Sequence, residues 1–132
     1  VAISRLDSDN YTYNLVKRGL DVSSLRSKVI ANNIANINTK GYKRDTVSFE
    51  DTLKDASNDI ENTGYTNVDE GSFGQVKLGK DTSSSMRADG NNVDLESEKV
   101  NQAANTMLYN ALITQANNKI SMTRYVITGG GR

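Results

Sequence analysis

The chain has no cysteine, histidine, proline or tryptophan in 132 residues. Without cysteine there is no disulfide, no thiol nucleophile and no thiolate ligand for a metal. Without histidine the usual zinc donors and the commonest general base are missing, so the many serines cannot belong to a conventional triad. Without proline, turns fall to glycine, asparagine, aspartate and serine. Charge of one sign is missing too: sixteen basic residues balance sixteen acidic ones. That balance argues against a nucleic-acid partner and removes any general attraction to anionic membranes. No run approaches the roughly 20 apolar residues of a membrane span, so direct membrane insertion is not expected. With 36% hydrophobic residues and 6% aromatics, one domain with a modest core is expected. Val1-Ala2-Ile3-Ser4-Arg5 lacks the basic-then-apolar layout of a secretory signal. The expectation is a cytoplasmic protein, or export without a cleaved signal.

Two helical patterns flank a polar middle. From about Asn14 to Asn36, Leu15, Val22, Leu25 and Val29 fall at heptad a and d spacing, interrupted by Arg18. The same seam runs on into Asn32 and Asn36, beside a stripe of Ile30, Ile34 and Ile37. A helix of this extent spans roughly 35 Å, and Gly19 weakens it by about 1 kcal/mol relative to alanine. From Tyr42 to about Asn92 the signal fades. Phe49, Leu53 and Ala56 fit a short helix, and a small hairpin around Phe73 to Leu78 is one reading of the glycine-punctuated stretch that follows. The other is a mobile loop with marginal strands.

The second long helix is expected from Asp94 to about Thr128, with Asp94 as N-cap, Glu96 and Glu98 complementing the helix dipole, and Gly129-Gly130-Gly131 ending it. It carries two apolar seams. One is Ala104, Leu108, Ala111, Gln115, Asn118, Met122 and Tyr125; the other is Tyr109, Ile113, Ala116, Ile120, Thr123 and Ile127. Corresponding positions differ by two residues, about 200° around the axis, so the seams face opposite ways. One partner helix covers one seam. The other needs cover from further subunits, because a helix apolar on opposite faces is normally buried all round.

Three asparagines, Asn32, Asn33 and Asn36, sit inside the first helical pattern, although asparagine is a mediocre helix former. They are ordinary on a solvated face. On a packed seam a buried amide costs stability unless paired, but fixes register and partner. Asp89-Gly90-Asn91-Asn92-Val93-Asp94-Leu95-Glu96 has its glycine misplaced for a calcium loop and reads better as a turn feeding a helix cap. Asn10-Tyr11-Thr12 matches a glycosylation sequon that no secretory signal supports. Gly71-Ser72-Phe73-Gly74 is too short for a phosphate loop. No cofactor, metal site or catalytic group is expected.

The segment Ala31-Asn32-Asn33-Ile34-Ala35-Asn36-Ile37-Asn38-Thr39-Lys40-Gly41-Tyr42 closely resembles the N-terminal signature of the flagellar axial proteins, the rod, hook and hook-associated proteins. It departs at Lys40, where that family usually has proline. Ser4-Arg5-Leu6, Gly19 to Arg26, Phe49 to Leu53 and Asp89 to Glu96 look like the family's proximal-rod type, and the chain length is similar. No resemblance is read between about Asn58 and Met86.

The resemblance implies a non-enzymatic structural subunit, exported unfolded by the flagellar type III apparatus and polymerised at the periplasmic or cell-envelope side of the basal body. Its implied partners are other rod proteins, basal-body ring or adaptor proteins, and copies of itself. The expected fold is mainly α: long N- and C-terminal helices pairing as a coiled-coil-like core, with a small irregular or short β-hairpin middle segment. Residues 1–42 and 93–132 would form a discontinuous helical core and 43–92 a Gly/Ser/Asn-rich middle. The expected assembly interface is Val22, Leu25, Val29, Asn32, Asn33, Asn36, Leu108, Ala111, Ile113, Ala116, Ile120 and Met122. The competing reading is a soluble helical-hairpin binding module or export chaperone.

Overall fold

Two helices, each about 50 Å long at 1.5 Å per residue, dominate the computed structural model, which describes residues 2–51, 53–54, 75–85 and 87–129. Helix α1 spans Ala2–Ala35 and helix α2 spans Leu95–Ile127. Between them, strand β1 (Asp45–Ser48) pairs antiparallel with strand β2 (Lys77–Lys80), Asp45 facing Lys80 and Val47 facing Leu78. The helices run antiparallel. Gly19 lies against Leu112, Ser23 against Asn105 and Asn33 against Glu98, so α2 numbers fall as α1 numbers rise.

Helix α2 starts as its sequence predicts. The Asp94 carboxylate accepts the N–H groups of Glu96 and Ser97 at 2.8 and 3.1 Å, satisfying two of the donors a helix start leaves unpaired. At the far end, Gly129 takes a positive φ of 72°, a conformation glycine adopts without a Cβ penalty. Helix α1 begins some twelve residues before the expected start near Asn14.

The stripe of α1 that meets α2 differs from the heptad reading. The buried positions are Val22, Ser23, Ile30 and Asn33, whereas Asn32 is exposed and Leu25, Val29 and Asn36 are only partly covered. In the asparagine stretch this shifts the facing position by one residue, about 100° around the helix. The polar pairs explain it. Ser23 Oγ donates to Asn105 Oδ1 at 2.9 Å, and Asn105 Nδ2 donates back to the Ser23 carbonyl at 2.8 Å. Gly19 completes the stripe: a Cβ there would stand 3.1 Å from Leu112 Cδ1. The glycine that weakens the helix locally is what admits the leucine.

A helical turn follows β1, with Leu53 N–H donating to the Phe49 carbonyl at 3.0 Å. Its expected third member, Ala56, lies outside the described residues. So do Phe73 and Gly74 of the expected hairpin, Gly71 and Ser72 beside them, and Gly130 and Gly131. The strand that does form sits at Lys77–Lys80 and pairs with a segment about 30 residues earlier, not with an adjacent strand. Among the described residues the buried apolar side chains are only Val22, Ile30, Phe49 and Val93, fewer than the buried polar ones, Ser23, Asn33, Asn91, Glu98 and Asn105. Hydrogen bonding therefore defines this end of the molecule as much as apolar burial does.

Candidate assembly interface

The asparagine motif builds a joint where α1 ends, β1 begins and α2 starts. Asn33 is 1% exposed and uses its whole amide. Its Oδ1 accepts the Asp45 N–H at 2.9 Å, and its Nδ2 donates to the Asp45 carbonyl at 2.9 Å and to Glu98 Oε2 at 3.2 Å. A helix side chain thus pairs with the first residue of β1 as a neighbouring strand would. Glu98, with no exposed surface, also accepts from Arg44 Nε, and Arg44 reaches Asp81 at 3.6 Å. The Tyr42 hydroxyl donates to Asn33 Oδ1 or Asp45 Oδ2, each 3.1 Å away, and receives Asn32 Nδ2 at 3.2 Å.

A second asparagine pair closes the joint from the other side. Asn91 Nδ2 lies 2.9–3.0 Å from the carbonyls of Asn36, Ile37 and Thr39, in the turn that follows α1. Its Oδ1 accepts the Val93 N–H, and Ser85 Oγ donates to its carbonyl. Asn92 Oδ1 accepts the Arg44 N–H at 2.7 Å while its Nδ2 donates to the Asp81 carbonyl at 2.8 Å. Gly41 and Gly90, both at positive φ, sit back to back, with Gly41 N–H donating to the Asp89 carbonyl at 2.8 Å. Among the described residues no buried side-chain polar atom is left without a partner. Such a network specifies one geometry, because any misplacement strands a group in a low dielectric.

Charges around the joint are tuned by these contacts. The Lys80 ammonium, 2.8 Å from Asp45, holds the Asp45 carboxyl below its usual range despite partial desolvation, and the Tyr42 hydroxyl adds to this. Burial, then the Asp45 hydrogen bond and the nearby negative charges, push the Tyr42 phenol up. Burial would raise Glu50, but Arg26 Nη2, 2.7 and 2.8 Å from its two oxygens, together with backbone N–H groups at Phe49 and Glu50, outweighs it and lowers the carboxyl. Asp81 is lowered chiefly by the Ser83 N–H at 2.9 Å, with Arg44 adding to it.

The joint gathers only part of the residues singled out from sequence. Val22 and Asn33 are spent inside the chain, so neither side chain is free for a neighbour. Ile113 and Ala116 lie half-covered on the α1 side of α2, while Ile120 is largely exposed. Leu108, Ala111 and Met122 stand open, Leu108 at 41% and Met122 at 64% exposure, and Tyr125 extends the same seam at 61%. Sequence reasoning missed Arg44, Asp45, Asn91, Asn92 and Glu98 as members of one cluster. The run Gly90-Asn91-Asn92 marked a turn, but nothing linear joins Arg44 to a carboxylate 54 positions away.

A family model described as flagella basal body rod protein matches residues 18–43, which hold the joint's α1 half from Gly19 through Tyr42. FlgB of Bacillus subtilis (strain 168), a flagellar basal body rod protein, is 37% identical over 125 residues, covering 90% of this chain and 95% of that protein. The chain belongs to the FlgB family of flagellar basal body rod proteins. FlgB of Borrelia hermsii is 38% identical over 111 residues, 73% of this chain and 80% of its own. A basal-body rod protein of a second type, FlgG of Agrobacterium fabrum, is 57% identical over 35 residues, 26% of this chain and 13% of FlgG. As a FlgB-family member the chain is a structural rod subunit of the flagellar basal body, and the chaperone reading falls away.

Proposed function

We propose that this chain is a proximal-rod subunit that polymerises through its two long helices. The observation that carries the reading is the open seam of α2. Helix α1 covers one side, while the seam from Ala104 through Leu108 and Ala111 to Met122 and Tyr125 faces outward with large apolar side chains. Leu25, Val29, Asn32 and Asn36 on α1, with Leu108, Ala111, Ile120 and Met122 on α2, are the residues that meet neighbours. Val22, Asn33, Ile113 and Ala116 act from inside, by holding the hairpin that presents them.

The partners are other rod proteins, copies of this chain, and ring or adaptor proteins of the basal body. The chain is an export substrate of the flagellar type III apparatus and works on the periplasmic side of the cell envelope. Residues 1–42 and 93–132 form the tube-building unit, and 43–92 is the smaller part that the joint anchors to it. Heterologous contacts of this kind do not close on themselves and extend into a helical tube. The work is mechanical: many modest apolar contacts add up to a shaft that transmits torque, and no substrate is turned over.

The test is a density map of basal bodies from cells carrying this chain. The hairpin should be traceable within the proximal rod, and deletion of the gene should leave rings without a rod. Absence of the chain from purified basal bodies, with cytoplasmic complexes in its place, would overturn the proposal.

A further inference from the structure

The turn that delivers Asn91 to the joint contains the chain's one Asp-Gly pair, Asp89-Gly90, and the sequence has no Asn-Gly pair. An Asp-Gly pair carries chemistry of its own. The glycine amide nitrogen attacks the aspartate Cγ, and no side chain on the glycine hinders the approach. The new N–Cγ bond closes a five-membered succinimide, and one carboxyl oxygen leaves as water. Water then reopens the ring at either carbonyl. Opening at Cγ restores aspartate. Opening at the former backbone carbonyl leaves isoaspartate, an isomer whose main chain runs through Cβ and Cγ.

In the folded chain every group this reaction needs is engaged. The attacking Gly90 N–H donates to the Arg87 carbonyl at 3.0 Å. Of the two carboxyl oxygens, Oδ1 accepts the Asn91 N–H at 3.0 Å and Oδ2 accepts Arg87 Nη2 at 2.8 Å. Arg87 is held in turn, its Nη1 donating to the Ile37 carbonyl at 2.8 Å. The Asp89 carbonyl, whose bond would be cut, accepts the Gly41 N–H at 2.8 Å. Gly90 sits at a φ of 76°, and a Cβ built there would touch the Gly41 Cα at 3.8 Å.

The joint also depends on this turn keeping its length. Asn91 Nδ2 spans three carbonyls of the turn after α1, and Asn92 links the Arg44 N–H to the Asp81 carbonyl. Isoaspartate at 89 adds one carbon to the main chain two residues before Asn91, and it turns the Asp89 carbonyl into a free carboxylate. A network in which every buried side-chain polar atom among the described residues is paired has no slack for either change.

We infer that Asp89 is the site of spontaneous isoaspartate formation in this chain, that the closed joint holds the reaction off, and that the isomerised chain cannot close the joint. A chain left unfolded ages at one bond, and the fold rejects what has aged. The inference concerns the joint itself and holds whatever the subunit's neighbours are.

To test it, the purified full-length chain is incubated with and without guanidinium chloride, and isoaspartate is located by peptide mapping with electron-transfer fragmentation. It should accumulate at Asp89 in the unfolded chain and about tenfold or more slowly in the folded one, where the reaction waits for local opening. Arg87→Met combined with Asn91→Ala, without denaturant and with its helices checked by circular dichroism, should fall between the two. That variant separates protection by the joint from any effect of denaturant on the chemistry. Asp89→Glu keeps a carboxylate but would need a six-membered ring, and should give no isomer at this position. The isomerised chain, separated by reversed-phase chromatography and refolded, should have a lower urea midpoint than the intact chain.

Equal rates in the folded and unfolded chains would overturn the inference. So would a double variant that ages no faster than the folded wild type. Isomerisation led by another residue, such as Asp7 before Ser8, would do the same, as would an isomerised chain with the wild-type midpoint.

Discussion

Replacing Asn33 with leucine separates a joint built from hydrogen bonds from one built by apolar packing. The side chains are similar in size, but leucine offers nothing to the Asp45 N–H and carbonyl that Asn33 holds at 2.9 Å, and it withdraws a donor from buried Glu98. Each stranded buried group costs about 1–3 kcal/mol. Added apolar burial returns about 0.8 kcal/mol per CH₂. The net loss should be about 3 kcal/mol, a large fraction of the roughly 5–15 kcal/mol that holds a typical domain together. Asn32→Leu is the matched control: Asn32 is exposed, and its contacts with the Tyr42 hydroxyl, Asp45 and Asn36 are made at the surface, where water can replace them, so its effect should stay within about 0.5 kcal/mol. Urea unfolding of the purified chain, followed by far-ultraviolet circular dichroism, reads both as midpoint shifts at constant slope. A midpoint for Asn33→Leu within error of the Asn32→Leu value would refute the reasoning and return the motif to a surface role.

Other outcomes follow from the same contacts. Gly19→Val should destabilise the hairpin by about 1–3 kcal/mol, because the branched side chain enters the space of Leu112 only 3.1 Å from the added Cβ; thermal melts check it, and an unchanged melt would show that α2 does not pack there. Leu108→Asp with Met122→Asp should leave the free subunit's stability nearly unchanged yet block rod formation, whereas Ile113→Asp, half-covered beside α1, should lower the melting temperature as well. Melts of the variants and electron microscopy of basal bodies separate the two effects. Asp45, Glu50 and Asp81 all have lowered folded-state pKa values. Their stabilisation is present above the usual carboxylate range and is lost as pH falls through the folded values, so the urea midpoint should drop on acidification. Lys80→Met should shrink that drop by returning Asp45 towards its ordinary pKa.

The sequence made some elements readable because their causes are local. Asp94, Glu96 and Glu98 announce the start of α2 within five residues, and Gly41 and Gly129 mark turns by their conformational freedom. The start of α1 was not readable. Ser4, Asp7, Ser8, Asp9 and Asn10 give no apolar period, and the helix runs through them regardless. The facing stripe was misplaced because a heptad template weighs leucine and valine above serine and glycine. Here Ser23 and Gly19 make the contact, one through a hydrogen bond and the other by having no side chain. The asparagine cluster was recognised as purposeful, but its purpose depends on Arg44, Asn91, Asn92 and Glu98. Those partners lie in the middle segment and the second helix, and only the folded chain brings them together. The strand Asp45–Ser48 was missed for a related reason: four residues of mixed polarity become a strand only when β2 and the Asn33 amide occupy both its edges.

The separation between those partners sets the order in which the subunit becomes itself. Ser23 bonds to a residue 82 positions later, Asn33 to one 65 later, and Asn91 reaches back 52 to 55 positions to the turn that follows α1. Contacts this distant in sequence incur their loop-closure entropy before any of them forms, which slows folding. A chain emerging from its N-terminus therefore has Ser23 without Asn105, Asn33 without Glu98 and the turn after α1 without Asn91 until residues 91–105 have followed. The joint reports completeness: a subunit truncated before Asn91 has a first helix but none of the contacts that fasten α2 to it, and only a chain that includes α2 presents the open seam to a neighbour.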